Sequence, residues 1–144
     1  MKAKKIYYSI VVGLQSLFIL LLFVNIGYCI ITSDLTMFPT TALYLNFYPF
    51  MNFFKTHNPY DLIVFISLLL LLFAMHFATI CILFKKVKRI YAWVVIVNAY
   101  FYALTMYSDG DLVYVFHGIE FSIYIYSNLA MFLLLLIAAL LKLY

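Results

Sequence analysis

The stretch DLIVFISLLLLLFAMHFATICILFKKVKRIYAWVVIVNAYFYALTMY, residues 61–107, is two apolar runs about one basic turn. The runs cover 62–84 and 90–106, and Lys85, Lys86, Lys88 and Arg89 fill the turn. A helix crosses the hydrocarbon core in about 20 apolar residues. The first run has that length, and each central leucine of 68–72 favours insertion by about 0.3–0.6 kcal/mol. The second is shorter and more polar, and predicts a span that leans on its neighbours. So short a turn sets the two antiparallel.

On either side lie two more apolar stretches, 6–31 and 121–143. The fold class that follows is an all-α integral membrane protein: an antiparallel bundle of four transmembrane helices in a single domain over residues 1–144. Composition agrees. The chain is 69% hydrophobic and 10% charged, where a soluble domain is about half apolar and about a quarter charged. Mean hydropathy is +1.13. These values exclude a soluble enzyme, a disordered tail and a nucleic-acid reader. Lys2, Lys4 and Lys5 precede a stretch too long for the h-region of a signal peptide, so it reads as an uncleaved first helix.

Charge sets direction. Lys2, Lys4, Lys5, the four cations of the turn and Lys142 mark one side, eight of the nine basic residues. Lys55 and all five acids, Asp34, Asp61, Asp109, Asp111 and Glu120, mark the other. The positive-inside rule puts both termini in the cytoplasm, and the expected location is a bacterial cytoplasmic membrane. The basic pI is then an insertion signal, with no nucleic-acid partner implied. Tyr7, Tyr8, Phe84, Tyr91, Trp93 and Tyr144 suit the inner headgroup level. Tyr28, Tyr60, Tyr102, Tyr107, Tyr124 and Tyr126 suit the outer one.

The connection 32–59 holds all three prolines and reads MFPTTALYLNFYPFMNFF over 37–54. A water-facing loop is polar; this one predicts a partly membrane-embedded outer loop. Residues 40–48 suit one short helix between Pro39 and Pro49. Phe38, Tyr44, Phe47, Tyr48, Phe50, Phe53 and Phe54 could dock a membrane partner or simply hug the bilayer. The second outer loop carries Asp109, Asp111, His117 and Glu120. They could suit a hard cation or a basic partner, but they match no metal motif and read as a solvated acidic turn.

No Asp, Glu, Lys or Arg stands in the middle of a span. The intramembrane polar set is Gln15, His76, Asn98 and Asn128, with Asn25 further out. Asn98 and Tyr102 share a face at i, i+4. Two readings compete for these residues: hydrogen-bonded packing between helices, or a proton relay or substrate path around Gln15, His76 and Asn98. Small residues at Ser9, Gly13 and Ser16, at Ala74, Ala78 and Cys81, and at Ala99 and Ala103 predict close helix packing.

The chain lacks HExxH, GxSxG, cysteine pairs and paired intramembrane histidines, so neither a metal nor another cofactor is expected. In layout it resembles the small four-helix immunity proteins that protect bacteria against pore-forming toxins, a likeness of architecture that rests on no motif. The function expected is non-enzymatic: an inner-membrane binding or accessory protein acting on another membrane protein, an inserted toxin or a complex subunit. A small oligomeric channel or transporter is the alternative.

Overall fold

The computed structural model describes residues 2–33, 44–107 and 119–144, with side chains for all of these except 44–47, 105–107, 119–121 and 124. Five helices are described: α1 Lys2–Thr32, α2 Tyr44–Thr56, α3 Pro59–Phe84, α4 Ala92–Tyr107 and α5 Ile119–Leu143. A 3-10 turn, Arg89–Tyr91, leads into α4. α1, α3 and the Ile125–Leu143 part of α5 are long and apolar enough to cross a bilayer. Together they suggest an integral, multi-pass membrane protein in contact with lipid. With 31 residues, α1 is about 46 Å long against a core of about 30 Å.

Contacts along the helices fix their directions. Tyr8 meets Phe84 edge-on at 6.3 Å, and Phe23 meets Phe73 at 5.9 Å, so α1 and α3 run antiparallel. Tyr7 Oη donates to Leu134 O at 2.9 Å, and Lys4 Nζ to Leu141 O at 3.0 Å, so α1 and α5 do too. Tyr100 meets Phe132 edge-on across α4 and α5. Ala99, Ala138 and Ala139 are fully buried there and let those helices pack closely. Lys142 Nζ donates to Lys85 O at 3.0 Å, drawing α5 onto the turn after α3. The start of α1, the end of α5 and the basic turn therefore meet at one end of the bundle.

Three expectations need correction. The short helix does not stop at Pro49: α2 runs through it to Thr56, and residues 40–43 lie outside the described ones. Proline removes one backbone donor and normally bends or breaks a helix. Here Phe50 and Met51 sink to 7% exposure, Phe50 packs on Phe65 at 5.3 Å, and that burial offsets the lost bond. α3 starts at Pro59, three residues before the expected apolar run and ending with it at Phe84. His57 adopts a left-handed φ of 53°, Asn58 turns extended, and its Oδ1 accepts from the Tyr60 N–H at 3.1 Å. That is an N-cap with proline at the first helical position.

Two aromatic residues expected at headgroup level are core: Tyr102 is buried, and Tyr8 nearly so. Their rings supply more apolar area than their hydroxyls can hold at an interface. The Ser9, Gly13 and Ser16 stripe is not a close-packed face, although the Ser16 hydroxyl reaches α3. All three are exposed, and a methyl group added at Gly13 would meet nothing within 4 Å. α1 turns Tyr8, Val11, Gln15, Ile19 and Leu22 inward instead, the larger apolar face winning the core.

Candidate functional site: a polar belt and an aromatic helix

Three polar contacts join α1, α3 and α4 in pairs. On the α3–α4 seam, Asn98 Nδ2 donates to Thr79 Oγ1 at 2.8 Å, with both residues buried. Thr79 Oγ1 itself donates to Met75 O at 2.8 Å. A threonine hydroxyl has one proton, so the Asn98 nitrogen must face it. On the α1–α3 seam, Ser16 Oγ lies 3.0 Å from His76 Nε2 and donates to Val12 O at 2.9 Å. The hydroxyl has one proton, so when it goes to Val12 O, His76 donates from Nε2. On the α4–α1 seam, the Tyr102 hydroxyl faces the Gln15 side chain.

The sequence places these residues in register. His76 and Thr79 are three apart on α3, and Asn98 and Tyr102 four apart on α4, so each pair shares a face. Adjacent Gln15 and Ser16 point about 100° apart on α1, one toward α4 and one toward α3. The belt is incompletely satisfied. Gln15 is fully buried, yet neither amide atom closes a hydrogen bond of ordinary geometry, and neither does His76 Nδ1. Asn128 on α5 and Asn25 on α1 are also fully buried.

Of the four expected polar residues, Gln15, His76 and Asn98 thus lie in one belt, each facing a different partner, and Asn128 is buried on α5. Sequence reasoning missed Thr79 altogether and took Ser16 only as a small residue. The signal for Thr79 was present: it stands three residues after His76 on the same face.

The expected aromatic surface divides. Phe50 belongs to the core, against Phe65 and, at 6.0 Å, Phe54. Phe54 is half-buried, Phe53 half-buried and edge-on to His57 at 6.2 Å, and Tyr48 exposed. Tyr44 and Phe47 lie in α2 without described side chains, and Phe38 lies outside the described residues. So do Asp109, Asp111 and His117. Glu120 stands in the first turn of α5, its side chain undescribed. Among the described residues, no three His, Cys, Asp or Glu side chains gather as a metal site would need. Compared with known families, curated proteins and solved structures, the chain matches none of them.

Proposed function

We propose a four-span membrane protein that acts without catalysis, by binding another membrane protein through its lateral faces and α2. α4 is the fourth span in this reading: Arg89–Leu104 is apolar, short and packed against α3 and α5. The positive-inside rule puts the basic end in the cytoplasm and α2 at the opposite face, lying partly in the outer interface. The partner is a membrane-inserted polypeptide, either a toxin in an immunity-type pairing or the larger subunit of a complex.

The observation that carries this reading is the pairing of Asn98 with Thr79 and of His76 with Ser16. Polar groups that a conduction path needs are turned onto neighbouring helices, which suits a packed core. What remains outward is apolar, as on Ile63, Ile66, Leu70 and Phe77 of α3.

The test has two arms. Affinity purification in mild detergent is expected to recover one stoichiometric partner, and sealed vesicles holding the purified protein are expected to show no added ion or proton flux. Flux that disappears in His76→Asn would overturn the reading. The second reading, an oligomeric channel or transporter along Gln15, His76 and Asn98, draws on a specific observation. The Gln15 amide and His76 Nδ1 are buried without ordinary hydrogen bonds, and a hydrated path would satisfy them.

A further inference from the structure

We infer that the basic end of the bundle is a binding site for the phosphate headgroup of an anionic phospholipid. The inference rests on the membrane-spanning reading and is independent of the partner. Three segments far apart in sequence are stapled there: Lys4 Nζ donates to Leu141 O, and Lys142 Nζ donates to Lys85 O, each at 3.0 Å. These bonds hold α1, α5 and the turn after α3 together. Leu141 O stands in the last turn of α5, where a helix leaves its carbonyls unpaired, and Lys85 O accepts from the Val87 N–H as well. They put the Lys142 ammonium on the backbone of Lys85, next to Lys86, and the Lys4 ammonium on the last turn of α5. An ammonium has three donors, and one carbonyl takes one.

Among the described residues no Asp or Glu side chain stands at this end. Asp61 and Glu120 stand in the first turns of α3 and α5, the far ends of those helices. Asp61 is about 36 Å along α3 from Lys85 at 1.5 Å per residue. The surroundings identify the anion's source. Ile90, Tyr91 and Trp93, each more than half exposed, adjoin the basic turn. Such a mixture belongs at the boundary of hydrocarbon and water, where the available anions are lipid phosphates.

The protein is reconstituted with phosphatidylcholine alone or mixed with phosphatidylglycerol, and retained lipid is counted by native mass spectrometry. Preferential retention of phosphatidylglycerol is expected. Lys85→Gln with Lys86→Gln leaves the Lys85 carbonyl and both staples in place. It is expected to weaken that retention about 30-fold, taking about 1 kcal/mol for each lysine. Lys55→Gln, at the opposite end, is expected to leave it unchanged. Equal retention of the two lipids overturns the site, as does an equal loss in Lys55→Gln. So does inorganic phosphate stabilising the phosphatidylcholine-embedded protein as strongly as phosphatidylglycerol does. Failure to insert overturns the spanning reading and the site together; insertion without selectivity overturns the site alone.

Discussion

Thr79→Val is expected to destabilise the bundle more than Asn98→Leu, although both delete the same hydrogen bond. Valine keeps the shape of Thr79 but leaves the Asn98 nitrogen, 1% exposed, with no acceptor. A buried donor stranded in this way costs about 1–3 kcal/mol. Leucine at 98 strands nothing, because the Thr79 hydroxyl still donates to Met75 O. Its cost is that of one interhelical bond in a membrane, about 0.6 and at most about 1.7 kcal/mol. The double variant removes donor and acceptor together, so it is expected to be more stable than Thr79→Val alone. Unfolding in mixed micelles with increasing dodecyl sulfate, followed by the fluorescence of the single tryptophan, Trp93, measures all three. Additive losses, or a smaller loss for Thr79→Val, would refute the pairing as described.

Ser16→Ala removes the hydrogen-bond partner of His76 and, like His76→Asn, is expected to cost on the order of 1 kcal/mol, read in the same titration, with partner binding retained. Phe50→Ala is expected to cost up to about 3–5 kcal/mol locally. It frees α2 from Phe65, and hydrogen exchange is expected to rise over 48–56 while α1 and α5 stay protected. In a cysteine-free background, Thr56→Cys is expected to react with an impermeant thiol reagent from outside the cell and Lys86→Cys only after permeabilisation; the reverse pattern rejects the orientation. Tyr7→Phe, which loses the bond to Leu134 O, is expected to cost about 0.5–1.5 kcal/mol.

The long helices were legible because hydropathy over some 20 residues is a strong signal, and KKVKR marks a turn by charge alone. The start of α3 was also written in the sequence, since Asn58, Pro59 and Asp61 form an N-terminal signature. Placing the helix at its first run of apolar residues hides it. α2 was not legible in its true extent. Pro49 argues for a break, and only the contact of Phe50 with Phe65, a partner on another helix, argues against one. The belt was half legible. Gln15, His76 and Asn98 stand out as polar residues in apolar runs, but their partners depend on how helices rotate against each other. Thr79, Ser16 and Tyr102 carry no mark in isolation. Tyr102 shows the ambiguity: an amphipathic ring suits an interface and a core equally well, and one chain offers no means to choose.

The bonds from Lys4 to Leu141 and from Tyr7 to Leu134 bridge sequence separations of 137 and 127 residues. At about 5–20 residues per second, α1 is complete roughly 5–20 s before Leu141 is synthesised. In the first part of that interval Ser16 has no His76 and Gln15 no Tyr102 to face, and through all of it Lys4 and Tyr7 lack α5. The first helix enters the membrane as an unfinished part, with amide groups that lipid cannot satisfy. Closure comes only with the last stretch of the described chain. A translational pause between α4 and α5 would therefore lengthen the time in which membrane chaperones or proteases meet the nascent protein, without any change in the finished fold.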